Sequence, residues 1–588
     1  MDKNKQSLKE IFVEALKYYQ ERDSKTAEIF CYKILNINPN HFESISLLAN
    51  INAVNKNFSK AKEFLEKAIE IRPKNVSILN NLGTTYKELG KPKEAVNFYQ
   101  KVLEINPDHT SANYNLGLEF YKLKQFKKAK NYFEKTVKTQ PKFSMGHFNL
   151  GNLQKEFKEY KKAKISYLKA IELKPDFGGA HNNLGLVYSA IGEPQNAINS
   201  YNKALEINSD NAGAYNNLGR IYTETGEFKK AIDSHLMAIK LEPKNLMHCF
   251  YLAELNEDFL NLELKNKIEK ILNDKNPFKG DLVFGNFLLS RYARKEKKYE
   301  SEFSYLIKAH NYYFEFKKEK FEIGIKYCFE DVLQIANFVK LDSSSKSSDY
   351  NIKPIFIIGV PRSGSTMIEK VIGSGIKSVP LGEEVAILEN FINKKILEKK
   401  SFNLGEVKVF REELVNLYKE KGLVKEKNDF VFTDKSLNNF FYLEIIKEIF
   451  PQAKIINCKR KVLSSIISIF QNNLTELAWA HNLENIFKYF DNYFQIMNQI
   501  KKKYPNFIYE LDFENFTNMP EAESKKLLKF CDLPWDKKCL EFYKRKDIVS
   551  KTTSRQQIRK AIYKHTTDRY LPYKKLLNKY GSKYSWFN

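Results

Sequence analysis

The stretch Pro354-Ile355-Phe356-Ile357-Ile358-Gly359-Val360-Pro361-Arg362-Ser363-Gly364-Ser365-Thr366 decides how the second half of the chain folds. An apolar run of strand length feeds a glycine turn. A hydroxyl-rich segment follows and opens a helical pattern, Met367-Ile368-Glu369-Lys370-Val371-Ile372, so the free N–H groups of a new helix converge on one point. The helix dipole adds to the pull on an anion there. Arg362, Ser363, Gly364, Ser365 and Thr366 form the expected cradle, and a phosphate or sulfate is its natural occupant.

The spacing from Gly359 to Gly364 is that of a Walker A loop, but Ser365 stands where that loop has its lysine, and an arginine sits earlier, inside the turn. This argues against a nucleoside triphosphatase or kinase. The pattern Pro-Arg-Ser-Gly-Ser-Thr resembles the 5'-phosphosulfate loop of sulfotransferases, above all the protein-tyrosine sulfotransferases and the bacterial proteins that join tetratricopeptide repeats to such a domain.

With 588 residues the chain exceeds a single core and predicts two or three domains. Its 43% hydrophobic content suits a globular protein and excludes a disordered chain. The polar start, Met1-Asp2-Lys3-Asn4-Lys5, and the lack of any apolar run of spanning length predict a soluble protein without a signal peptide. Six cysteines without a CxxC pair fit reduced thiols in a cytoplasm. A formal charge of +26 would attract any polyanion, and a lysine-rich composition produces it without a dedicated partner, so no nucleic acid is expected.

Upstream, prolines recur at Pro39, Pro73, Pro107, Pro141 and Pro175, skip Ser209 and resume at Pro243, in steps of 34 residues. Alanines keep that step from Ala27 to Ala231, and glycines from Gly83 to Gly219. This is the tetratricopeptide pattern, in which small residues let two helices approach and proline ends the second. About seven repeats span residues 8–245 and predict an all-α superhelix with a groove. Residues 246–341 read as further, degenerate helical hairpins, 342–350 as a serine-rich linker, and 351–588 as an α/β sulfotransferase domain with a P-loop-like parallel sheet flanked by helices.

Asn81, Asn115, Asn149, Asn183 and Asn217 form a second ladder, each two residues before a repeat glycine. It resembles the asparagine ladder of O-GlcNAc transferase, which grips the backbone of an extended polypeptide, and an amide suits that role because it both donates and accepts. The alternative reading is that these amides bond to neighbouring repeats. Asn113, His147, His181 and Tyr215, two residues earlier, read as packing groups.

Three further segments carry chemistry. In Gly382-Glu383-Glu384 the resemblance to tyrosine sulfotransferases implies a general base, Glu384, with Glu383 as the alternative; a carboxylate near cations is a weak base unless partly desolvated. Phe430-Val431-Phe432-Thr433-Asp434-Lys435 reads as a buried strand ending in a lysine, and the resemblance gives Lys435 the role of assisting the leaving oxygen. Ala453 to Cys458 reads as another strand, followed by Arg460 and, eight residues on, Ser468. An arginine fork with a helix hydroxyl makes a good monophosphate site, and the resemblance assigns it the donor's 3'-phosphate. In the closing region Thr553, Ser554 and Arg569 are implied nucleotide contacts; Phe513 replaces the family's tyrosine, and Ala386 stands where the tyrosine enzymes have a substrate-gripping arginine.

The reading is a sulfotransferase that uses 3'-phosphoadenosine 5'-phosphosulfate, without a metal, on an acceptor hydroxyl. Glu384 is the base, Arg362 stabilises sulfonate charge, and Lys435 assists departure. The groove points to a polypeptide acceptor, a tyrosyl hydroxyl first. A glycan or lipid-linked acceptor, or a non-catalytic peptide-binding scaffold, are the rivals. Since cytosolic sulfotransferases use a histidine base, His481 and His565 are the fallback.

Overall fold

The computed structural model describes residues 2–334, 352–376, 378–397, 407–424, 430–545, 547, 549–550, 552, 554–563 and 568–587. The linker 342–350, Thr553, His565 and the Arg569 side chain lie outside the described residues. The chain folds as an all-α repeat array followed by an α/β region, and it divides into two compact units, Met1–Ala214 and Tyr215–Asn588.

The first unit is a run of helix pairs, among them Val76–Glu88 with Pro92–Ile105 and Thr110–Lys122 with Phe126–Thr139. The 34-residue spacing has a direct packing cause. A Cβ on Gly83, Gly117, Gly151 or Gly185 would come within 2.5–2.9 Å of the ring of Tyr99, Phe133, Tyr167 or Tyr201 on the paired helix, so only glycine admits the aromatic. The repeat alanines are fully buried. Asn113 donates to the carbonyl of Pro107, and the Nε2 atoms of His147 and His181 lie 2.9 and 3.0 Å from those of Pro141 and Pro175. These residues close the preceding proline turn, as a packing role requires.

The second unit begins within the last repeat and includes everything after it. Its parallel sheet, among the described residues, runs β2-β1-β3-β4: Ile352–Ile358 (β1), Phe430–Asp434 (β2), Lys454–Lys459 (β3) and Ile508–Asp512 (β4). After Lys353, β1 reads as an unbroken apolar run because both faces are covered. Ile355 and Ile357 pack on Ile368 and Val371 of the helix Ser365–Gly373, while Phe356 and Ile358 share a core with Phe287, Phe303 and Phe321. Those phenylalanines belong to the helices Lys279–Lys295, Tyr299–Phe316 and Lys318–Lys326, which the sequence assigns to a separate region. A sulfotransferase core bounded at residue 351 is therefore incomplete, because one face of its sheet is covered by helices from 246–334. All six cysteines are buried free thiols, and no described helix is long and apolar enough to cross a membrane.

Candidate active site

β1 ends at Ile358, and the turn that follows is shaped by two left-handed residues, Arg362 (φ 68°) and Gly364 (φ 94°). Gly364 has a second constraint, since a Cβ would lie 2.1 Å from the Phe513 ring. Phe513 thus supports the loop from below, a use for the ring that needs no phenol. The helix Ser365–Gly373 starts immediately afterwards and aims its first N–H groups at the turn. The Ser363 hydroxyl is fully buried and has no hydrogen-bond partner among the described residues, and the same holds for Arg460 Nε. Unsatisfied donors at the mouth of a helix N-terminus are what a bound anion would satisfy, so the residues present fit a phosphosulfate donor.

Arg460 follows β3, and Ser468 lies on the helix Val462–Phe470. The loop arginine joins them: Arg362 Nε donates to Ser468 Oγ at 2.9 Å, its Nη1 donates to Ser554 Oγ at 2.9 Å, and its carbonyl accepts from Arg460 Nη1 at 3.0 Å. The Arg460 guanidinium also lies over the rings of Phe513 and Tyr570. Four residues read from three separate segments therefore form one cationic cluster. The Arg362 side chain sits with the hydroxyls assigned to the nucleotide end of the donor. It reaches Ser468 from a left-handed turn residue.

The two acidic and basic motifs meet through their backbones. Pro380 to Glu383 runs beside the end of β2, and Glu384 turns off it at φ 52°: Thr433 N–H donates to Pro380 O, Lys435 N–H to Gly382 O, and Glu384 N–H to Lys435 O, at 2.9, 3.0 and 2.8 Å. Gly382 is required, because a Cβ there would lie 2.3 Å from Thr433 O. This pairing sets Lys435 Nζ 2.6 Å from Glu384 Oε1 and 3.4 Å from Thr366 Oγ1. Burial alone would lower the Lys435 pKa, but Glu384, Glu383 and Glu369 more than offset it, and the ammonium is held above the ordinary lysine value.

Glu383 and Glu384 have different surroundings. The Glu383 carboxylate accepts from Lys370 Nζ at 2.8 Å and from Ser550 Oγ at 2.7 Å, and its side chain is 9% exposed. Burial would raise its pKa, yet Lys370 and Lys435 outweigh that and lower it. The Glu384 side chain, by contrast, is 34% exposed. Glu369, buried beneath them, accepts from the Thr433 hydroxyl at 2.8 Å, and that hydroxyl accepts from Gly382 N–H; burial pushes its pKa up. Glu369, Lys370, Thr433 and Ser550 were not predicted as site residues. Two charges in sequence on an otherwise apolar helix, Glu369-Lys370, were the available signal. Asp434 is also buried and takes hydrogen bonds from Tyr418, Ser436 and Asn439, bracing the strand end.

His481 is not at this site. It is buried, its Nδ1 2.9 Å from His310 Nδ1 and its Nε2 3.1 Å from Leu474 O, and burial holds it well below the ordinary histidine value. The asparagine ladder is occupied in part between repeats. Asn81 Nδ2 donates to Asn50, Asn149 Nδ2 to the Tyr114 hydroxyl and Asn183 Nδ2 to Asn152, at 3.3, 3.0 and 2.8 Å. Three of the five amides thus donate to an acceptor on the neighbouring repeat, as in the alternative reading; Asn115 and Asn217 are half-buried.

Residues 354–537 match the sulfotransferase family, and tetratricopeptide repeat families match 43–75, 76–109, 110–143, 146–177, 179–211 and 200–233. The chain joins a tetratricopeptide repeat region to a sulfotransferase-family domain. An uncharacterized protein of Aquifex aeolicus (strain VF5) is 30% identical over 327 residues, which are 53% of this chain and 42% of that protein, so the match spans less than half of the relative. Among solved structures, the repeat protein YrrB, described as having an unusual peptide-binding site, is 23% identical with a TM-score of 0.30, over 32% of this chain and 97% of its own. A tetratricopeptide repeat protein of Parabacteroides merdae is 21% identical with a TM-score of 0.32, over 44% and 100%.

Proposed function

We propose that the protein transfers a sulfuryl group from 3'-phosphoadenosine 5'-phosphosulfate to the hydroxyl of an acceptor presented on, or as part of, a polypeptide held by the repeats. The observation that carries this reading is the Lys435–Glu384 pair, 2.6 Å apart, fixed by backbone pairing beside an anion loop with unsatisfied buried donors. Ser363, Ser365, Thr366 and the loop N–H groups hold the phosphosulfate end. Arg362, Arg460, Ser468 and Ser554 hold the phosphate of the nucleotide end, with Thr553 and Arg569 as further candidates from the sequence.

The donor supplies an activated sulfur bonded to a good leaving group. Glu384 takes the proton of the attacking hydroxyl as its oxygen bonds to sulfur. Lys435, kept charged by its carboxylate neighbours, donates to the phosphate oxygen that departs. Its contact with Glu384 is competent for both duties, because the departing anion draws the ammonium away and leaves the carboxylate open to the hydroxyl. The half-exposed position of Glu384 and the buried, doubly bonded state of Glu383 favour Glu384 as base.

Calorimetric titration with 3',5'-adenosine bisphosphate tests the reading. Wild type is expected to bind, and Arg460→Ala to bind about 10- to 100-fold more weakly, the value of one or two charge-assisted bonds. No binding to wild type would overturn the assignment. For the repeats, Asn149→Ala with Asn183→Ala is expected to weaken capture of polypeptide acceptors; unchanged transfer rates on every protein substrate would remove the groove from the reading.

A further inference from the structure

Beyond the reacting pair, the two paired segments continue side by side. Ala386 N–H donates to Ser436 Oγ at 3.0 Å, and farther along the two segments Asn438 Nδ2 donates to Glu389 Oε1 at 2.8 Å. A third element reaches the same spot. The helix Lys318–Lys326 ends in a π-helical turn, Tyr327–Asp331, a geometry concentrated at functional sites, and the Tyr327 hydroxyl donates to Glu389 Oε1 at 2.9 Å. That hydroxyl also accepts from Asn393 Nδ2 at 2.8 Å.

Tyr327, Glu389, Asn393 and Asn438 are each half-buried, so the cluster is a face and not a sealed core. Its valences are unevenly used. Both bonds to Glu389 go to Oε1, and among the described residues Glu389 Oε2, Asn393 Oδ1 and Asn438 Oδ1 accept from no group. Three open acceptor oxygens beside the Tyr327 phenol, itself held 3.0 Å from the buried Tyr442 hydroxyl, with no cation among the four residues, ask for a ligand rich in O–H donors. A tyrosine flanked by acidic residues would instead bring carboxylates against Glu389, a like-charge contact in a partly desolvated place.

We infer that Tyr327, Glu389, Asn393 and Asn438 form an acceptor subsite for a carbohydrate, whose ring hydroxyls donate to the open oxygens while one hydroxyl reaches Glu384. This rests on the sulfotransferase reading and adds the class of acceptor. The tyrosyl acceptor expected from the sequence gives way to a sugar, free or carried on a polypeptide.

The test supplies wild type with sulfur-labelled donor and two probes: a panel of p-nitrophenyl glycosides, and a tyrosine peptide with acidic flanks. Label is expected in a glycoside. Glu389→Gln and Asn393→Asp are then expected to raise the glycoside KM about 10-fold, roughly one bond to a charged group, with kcat changed less than threefold. Affinity for 3',5'-adenosine bisphosphate should stay within twofold. Thermal unfolding checks that each variant folds, and either variant alone suffices. Label in the peptide and in no glycoside would overturn the inference, as would a glycoside KM indifferent to both substitutions. Absent nucleotide binding would sink the sulfotransferase reading, and this inference with it.

Discussion

Glu383 and Glu384 are neighbours in unlike surroundings, and the difference is one of solvation. Replacing Glu384 by Gln is expected to lower sulfuryl transfer about 10²- to 10⁴-fold while 3',5'-adenosine bisphosphate affinity holds, measured by labelled-donor turnover and calorimetry. Replacing Glu383 by Gln should instead cost stability. Breaking a buried ion pair costs about 3–5 kcal/mol, and the lower end applies because Lys370 retains Glu369 at 3.3 Å; urea denaturation reads it. That difference could not be read from Gly-Glu-Glu, since Glu383 bridges to Lys435 at the end of a distant strand while Glu384 turns away at a left-handed φ of 52°. Arg362 was legible as an anion ligand from its place in the turn. That its side chain bonds to Ser468 and Ser554 was not, because it leaves the turn from a left-handed φ of 68° and no local residue pattern requires that angle.

At the scale of elements, the sequence presents the loop, the acidic segment and the lysine strand as three motifs, yet the structure makes the last two a single paired unit. The joint is Gly382, and Gly382→Ala is expected to break it. A methyl cannot sit 2.3 Å from Thr433 O, so the segment must shift, separating Glu384 from Lys435; transfer should fall at least 10²-fold with a loss of about 1–3 kcal/mol in stability. Wild-type turnover in this variant would show that the pairing is dispensable. A second joint is the contact of the helix Tyr299–Phe316 with the helix Val462–Phe470, where His310 Nε2 lies 2.8 Å from Phe470 O. Burial lowers the His310 pKa from 6.5 to about 4. The unfolded chain therefore binds more protons between those values, and stability falls as pH drops through that window, by up to about 3 kcal/mol. Denaturation curves at pH 7 and pH 4.5 should differ accordingly, and His310→Gln should reduce the difference.

For the whole molecule, the sequence marks its clearest boundary at residues 342–350, where serine and lysine replace apolar residues, but the second compact unit begins at Tyr215. Composition registers where the chain is polar; it carries no record of which helices cover the sheet. Three ties explain the difference. Glu302, fully buried on the helix Tyr299–Phe316, accepts from the Tyr573 hydroxyl at 2.6 Å and from Gln471 Nε2 at 2.9 Å. Glu254 pairs with Arg291 and with Arg555 of the closing segment. Arg559 donates to Thr225 O at 3.1 Å, in the turn of the last repeat. The segment that carries Ser550 and Ser554 to the site is thus anchored on helices that precede the sulfotransferase-family match. A fragment starting at Tyr215 is therefore expected to unfold cooperatively and to bind 3',5'-adenosine bisphosphate within about threefold of the full chain. One starting at Ile352 should lose both properties, since Phe356 and Ile358 would face water and Ser554 would lose its anchor. Nucleotide binding by the shorter fragment at full-chain affinity would mean that the helices before residue 335 are an accessory to the site and not part of it.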